Sequence, residues 1–250
     1  MATLKVIDLF SGAGGLSQGF KNAGYEIVSA VEIDKNLSQT YKKNFPKTKL
    51  FDTDIAKIKS TVLLANNSKI DVIIGGPPCQ GFSMSGKRIR NNGIFLNDKR
   101  NKLFREFVRI IKDLKPKVFL MENVPGILTI FNGKTKNQIS SIFKSAGYST
   151  KVKVMLAADY GVPQLRKRAF FIGNNLGIDP EFFFPIKKTK DYISVENAIF
   201  DLPFIKSGEG KFKTNYEKKP FTDYQKKMRK NSKFLYNHIS TLHDKKVLKI

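Results

Sequence analysis

Six short runs rich in Val, Ile and Phe recur along the chain with helix-period segments between them, and this alternation limits the possible folds more than any other feature. Lys5–Phe10, Ile27–Val31, Asp71–Ile74, Val118–Met121, Lys151–Leu156 and Ala169–Ile172 each read as a buried strand. Strands separated by helices pair in parallel through crossovers. The pattern therefore predicts an α/β fold, a mostly parallel twisted sheet with helices on both faces. Leu103, Phe104, Phe107, Val108, Ile110, Ile111 and Leu114 recur at helical spacing, and Pro116 stops that helix before the next strand. Gln138–Gly147 reads as a second covering helix closed by its glycine. Past Asn174 the pattern weakens into lysine-rich sequence broken by Pro and Gly, with one short helix at Ser194–Pro203. Two regions follow, 1–174 and 175–250, a division that the 250 residues accommodate.

Forty-five Lys and Arg against 21 Asp and Glu give a formal charge of +24, heavy after Lys187. A polyanionic partner accounts for that excess, and so does a lysine-rich proteome, since Lys far outnumbers Arg. Cys79 is the only cysteine, which rules out an internal disulfide and any cysteine-cluster metal site. The N-terminal residues pass straight into a strand-like run, with no long apolar stretch. The expectation is a cytoplasmic protein with no membrane partner.

Asp8-Leu9-Phe10-Ser11-Gly12-Ala13-Gly14-Gly15-Leu16 follows a strand and opens a helix, a turn at which backbone can approach a nucleotide closely. It nearly matches Gly-x-Gly-x-x-Gly, but Ser17 stands at the third glycine, which weakens a dinucleotide reading. Glu32 ends the next strand twenty residues past Gly12, placed for both ribose hydroxyls of an adenosine, and Asp54 is placed for an adenine amino group. Taken singly, the turn reads equally as packing and each acid as a solvated loop residue.

In Gly75-Gly76-Pro77-Pro78-Cys79-Gln80-Gly81-Phe82-Ser83 a buried strand meets two prolines, which fix the backbone and present Cys79 at the strand's carboxyl end. A free thiol titrates near about 8.5, so a nucleophilic role needs nearby positive charge. Lys87, Arg88, Arg166 and Arg168 are candidates. Residues 83–97 lack an apolar period and read as a long loop. Glu122-Asn123-Val124 ends a second strand and sets an acid at the same edge, where desolvation would keep it protonated. Arg166 and Arg168, at alternate positions, face one side of an extended segment.

Together these segments resemble the cytosine-5 DNA methyltransferases: Asp8–Gly15 their first motif, Gly76–Ser83 their Pro-Cys motif, Glu122-Asn123-Val124 and Gln164-x-Arg166-x-Arg168 two more, in order and spacing. The resemblance is strong over 4–173 and continues through Ala198–Pro203 and Asn237-His238. It implies an S-adenosylmethionine-dependent, Rossmann-like fold, with 1–174 as the cofactor-binding and catalytic domain and 175–250 as a basic extension. It further implies methyl transfer from S-adenosyl-L-methionine to carbon 5 of a flipped cytosine in double-stranded DNA, in restriction-modification. Cys79, Glu122, Arg166 and Arg168 would be catalytic. Phe10, Ser11, Gly12, Gly14, Glu32, Ile33, Asp54, Ile55, Pro78 and Leu103 would line the cofactor, and Gln80, Ser83, Lys87 and Arg88 would contact DNA. No metal is implied. The family's target-recognition region and terminal motifs do not follow by Ile250, so a split enzyme with a second polypeptide, or a truncated form, is expected. A nucleic-acid-binding remnant without turnover and a tRNA cytosine-5 methyltransferase are the alternatives, although the Cys-Phe-Thr segment of the tRNA branch is absent.

Overall fold

A computed structural model of the protein describes residues 3–64, 69–78, 101–188 and 191–244. Its main sheet comprises β1 (Lys5–Leu9), β2 (Glu26–Val31), β3 (Lys49–Phe51), β4 (Val72–Gly75), β5 (Val118–Asn123), β6 (Ser149–Leu156) and β7 (Lys167–Asn174), in the order β3-β2-β1-β4-β5-β7-β6. The first five strands pair in parallel, and β7 runs antiparallel to β5. The sheet is thus mostly parallel, as the alternation predicts, with one reversal.

Strands β1, β2, β4 and β5 carry apolar side chains on both sides because both faces are covered there, while β6 at the edge alternates lysine with valine. Val6, Ile27, Val72 and Ile74 pack on one face with Leu16 and Phe20 of α1 (Gly15–Asn22). Ile7, Leu9, Ile73, Phe119 and Met121 point the other way. They join Phe104, Phe107, Ile110 and Ile111 of α3 (Lys102–Leu114) with Ile139 and Phe143 of α4 (Lys134–Ser145). The predicted stripe on α3 is therefore its buried face, and the helix ends at Lys115, in the left-handed region one residue before Pro116. Between β2 and β3 lies α2 (Lys35–Asn44), which buries only Ser38 and Tyr41. It starts where Asp34 accepts the backbone N–H groups of Asn36 and Leu37.

Parallel pairing carries the carboxyl ends of β1 to β5 to one edge of the sheet, where ligands bind in open α/β folds. Gly75 shows how tight that edge is. A Cβ there would lie 2.4 Å from the Leu9 carbonyl oxygen, so only glycine lets β4 run beside β1 to its last residue.

The chain divides into two units, Met1–Met155 with Lys167–Ile186, and Leu156–Arg166 with Lys187–Ile250. The second holds α5 (Val195–Ile199), α6 (Asp223–Arg229) and an antiparallel ribbon of β8 (Gly210–Thr214) and β9 (Leu235–Ile239). Its core is small and polar: Arg229 pairs with buried Asp201 at 2.9 Å and stacks on Tyr216 at 3.7 Å, and Gln225 Nε2 donates to the Glu196 carbonyl. Among the described residues no helix is long and apolar enough to cross a membrane.

Candidate active site

The glycine turn after β1 uses backbone conformations that side chains disfavour. Phe10, Gly12 and Gly14 have φ of 60°, 56° and 98°. A bulky residue in the left-handed region is strained, and strain of this kind gathers at binding sites. Glu32 stabilises the turn: Oε2 accepts from the Gly12 N–H at 2.7 Å, and Oε1 accepts from the N–H groups of Ile33 at 2.9 Å and Asp34 at 2.8 Å. The Asp54 carboxylate accepts from the Ala56 N–H at 2.9 Å and caps a short 3-10 turn, Ile55–Lys57.

These residues enclose a cavity of about 350 Å³, within the range of small-ligand sites. Phe10, Gly12, Glu32, Ile33, Asp54, Ile55, Pro78 and Leu103 line it, joined by Val31, Leu37, Thr53 and Gly76. Ser11 and Gly14 are not on its wall. Gly14 faces the Phe45 ring, which a Cβ there would meet at 2.2 Å, so its glycine serves packing. The Ser11 hydroxyl is buried and has no hydrogen-bond partner among the described residues.

Behind the turn runs a buried polar chain. The Ser17 hydroxyl donates to Asp8 Oδ2 at 2.6 Å and lies 2.7 Å from the Tyr41 hydroxyl, linking β1, α1 and α2. Ser17 thus replaces the third glycine of a dinucleotide turn with a hydrogen-bonding tie. Asp8 is fully buried, and desolvation, with a smaller contribution from the Glu32 charge, pushes its carboxyl up to about 7 despite the Ser17 hydrogen bond. A carboxyl raised on folding contributes stability fully below its unfolded value near 3.8 and loses it as pH rises through about 7. Between about pH 5 and 8, wild type is expected to lose roughly 2–3 kcal/mol relative to Asp8→Asn, read from urea unfolding at both pH values.

Near the carboxyl end of β5 stands Glu122, a quarter-exposed side chain whose Oε1 is 2.7 Å from Arg168 Nε. The antiparallel pairing of β7 produces this contact, setting its first residues against the last of β5. The carboxyl and the guanidinium thus stand side by side at the sheet edge. Asn123 is buried, and its Nδ2 donates to the Pro77 carbonyl at 3.0 Å, fastening the Pro-Pro segment to the acid-bearing strand. A Cβ on Gly76 would stand 3.1 Å from Glu122 Oε2, so these segments run in close contact. Arg166 is exposed and belongs to the second unit. Cys79, Gln80, Ser83, Lys87 and Arg88, with the loop 83–97, lie outside the described residues.

In the sequence Asn123 carries no role beyond its place in a motif, and Thr53, Leu37 and Val31 are not among the expected cavity residues. Thr53 and Val31 adjoin Asp54 and Glu32 in sequence, which was the available signal. Leu37 was hidden in a helix with little apolar patterning. No cluster of His, Cys, Asp and Glu among the described residues could hold a metal ion.

A mostly parallel, doubly covered sheet with an antiparallel strand, a strained glycine turn and an acidic residue on the next strand defines the Rossmann-like class of S-adenosylmethionine-dependent methyltransferases. Residues 4–249 match the C-5 cytosine-specific DNA methylase family, and the chain belongs to it. The Type II methyltransferase M.DdeI of Desulfomicrobium norvegicum is 42% identical over 255 residues, covering 98% of this chain and 59% of that relative. M.AquIA of Picosynechococcus, also a Type II methyltransferase, is 39% identical over 225 residues, covering 80% of this chain and 89% of its own. A crystal structure described as a prophage-encoded DNA modification methyltransferase from E. coli superposes with a TM-score of 0.78 at 32% identity, over 99% of this chain and 74% of that one. The chain thus spans about three fifths of M.DdeI. S-adenosyl-L-methionine is the family's methyl donor, and the cavity fits it chemically: two carboxylates to accept hydrogen bonds, a glycine at which backbone comes close, and apolar walls.

Proposed function

We propose that this chain is the catalytic portion of a DNA (cytosine-5) methyltransferase of a restriction-modification system. One observation carries the reading. Pro78, the residue before Cys79, lines the same cavity as Glu32 and Asp54, while the Pro77 carbonyl is tied to Asn123, the residue after Glu122. The last two residues described before Cys79 thus border a nucleoside-sized cavity and fasten to the strand that bears the Glu122–Arg168 pair.

S-adenosyl-L-methionine supplies an electrophilic methyl group when bound. Glu32 and Asp54 would accept from its ribose and adenine, with Phe10, Ile33, Ile55, Pro78 and Leu103 as walls, Gly12 bringing backbone close, and Ser11 contributing its hydroxyl. The Cys79 thiolate would add to carbon 6 of a flipped cytosine, forming an S–C bond as the carbon 5–carbon 6 double bond opens and raising electron density at carbon 5, the atom that would accept the methyl group with S-adenosylhomocysteine as the product. Glu122 hydrogen-bonds ring nitrogen 3, where charge develops, and Arg168 holds the base carbonyl while Arg166 orders the site. A base then removes the carbon 5 proton, and Cys79 leaves as the double bond re-forms. Gln80, Ser83, Lys87 and Arg88 contact the DNA strand around the flipped nucleotide.

Target selection rests, in this reading, on polypeptide outside these 250 residues, continuous with them or on a second subunit, toward which the basic region 175–250 leads. Coverage supports this, since 59% of M.DdeI is matched but 89% of M.AquIA. A cytoplasmic enzyme that works at the nucleoid follows from this reading, because its substrate would be the cell's own DNA. The test offers the full-length protein S-adenosylmethionine labelled in its methyl group, with duplex DNA and tRNA in parallel. Label is expected in DNA, recovered as 5-methylcytosine after digestion. Label in tRNA alone would move the reading to RNA, and bound cofactor without label in either acid would leave a binding protein.

A further inference from the structure

We propose that Arg109 is a positioning residue for the nucleoside end of the cofactor cavity, setting affinity without lining the cavity. The inference rests on the cofactor reading above. Asp54 and Ile55 form part of the cavity wall, and the segment that carries them has little regular secondary structure: β3 before it is three residues long, and two short 3-10 turns, Ile55–Lys57 and Ser60–Leu63, follow, with Ile55, Ile58 and Leu63 buried in the core. Arg109 on α3 grips that segment from about fifty residues away in sequence. Its Nη2 donates to the carbonyls of Ile55 at 3.2 Å and Ile58 at 3.1 Å, and Nη1 donates to the Ser60 hydroxyl at 2.8 Å. The guanidinium is itself fixed, because Nε donates to Glu106 Oε2 at 2.7 Å and the Ser60 hydroxyl donates to Asp113 Oδ2 at 2.5 Å.

The first turn of the same helix carries Leu103, which lines the cavity directly. One rigid element thus supplies one part of the wall by contact and holds another by hydrogen bonds, so the spacing of Leu103 from Ile55 depends on the guanidinium. A planar fork with five donors can reach three acceptors on one segment while pairing with a carboxylate, and an ammonium cannot.

Arg109→Met is expected to weaken binding of S-adenosylhomocysteine and of adenosine by the same factor, tenfold or more. In the methyl-transfer assay it should raise the cofactor KM while kcat at saturation stays near wild type. Arg109→Lys should give a smaller loss of the same kind, and it carries the measurement if the Met variant does not fold. Tyr148→Phe, which deletes a buried hydrogen bond to the Pro116 carbonyl, serves as the control for stability alone and should lower Tm with both affinities unchanged. If the Arg109 variants likewise lose Tm but keep both affinities, or lose S-adenosylhomocysteine affinity while binding adenosine normally, the proposal is overturned. If wild type binds neither compound, the cofactor reading itself falls and takes this inference with it.

Discussion

Full-length protein carrying Cys79→Ser is expected to bind cofactor as wild type does and to lose methyl transfer by about 10⁴-fold or more, the scale seen when a covalent nucleophile is removed. The reason lies in the pyrimidine. Carbon 5 of cytosine is too poor a nucleophile to take a methyl group unless a strong nucleophile first adds at carbon 6. A thiol near its ordinary pKa of about 8.5 is partly ionised at neutral pH, whereas a serine hydroxyl is not. Duplex DNA containing 5-fluorocytosine makes the step visible. Fluorine at carbon 5 cannot leave as a proton would, so wild type should remain covalently attached to the strand on a denaturing gel. The serine variant should run free. Equal adduct formation by both would remove Cys79 from the mechanism.

Glu32→Ala should reduce S-adenosylhomocysteine affinity at least a hundredfold by titration calorimetry, about 2.7 kcal/mol. The loss goes beyond the proposed ribose contacts, because the two carboxylate oxygens already accept three backbone N–H groups, from Gly12, Ile33 and Asp34. Its removal strips the glycine turn of the acceptor that shapes it. Glu32→Gln sharpens the test. An amide offers one accepting oxygen, so serving Ile33 and Asp34 points its NH₂ at the Gly12 N–H, donor against donor. The Gln variant should therefore lose nearly as much as the Ala variant. A Gln variant with wild-type affinity would show that the carboxylate does not organise the cavity.

Elements with strong apolar patterning were legible in the sequence. The stripe from Leu103 to Leu114 is α3, and each of the six apolar runs holds a strand of the sheet. What escaped had other signals or none. Helix α2 buries one apolar side chain, Tyr41, so no periodicity announced it. In the second unit, the capping box of Thr222 and Gln225 could have been read as the start of α6, but β8 is a lysine-bearing, mostly exposed strand with no apolar alternation. The reversal of β7 was also readable, since the few residues between Leu156 and Lys167 leave no room for a crossover helix. For the site, spacing alone pointed to Glu32 and Asp54, because adenosine recognition follows the strand ends. Arg109 could not be found this way. On a helix it reads as solvated polar surface, and its partners become neighbours only when the chain has folded.

The reversed strand decides which end of β7 meets the acid. Because β7 runs antiparallel to β5, its first residues come level with the last of β5, and the ladder pairs Glu122 with Phe170 and Asn123 with Ala169. A parallel strand in that place would have brought its carboxyl end to Glu122 instead of its start. The Glu122–Arg168 contact is therefore a product of topology: an arginine one residue before a ladder position has little freedom to drift from its partner.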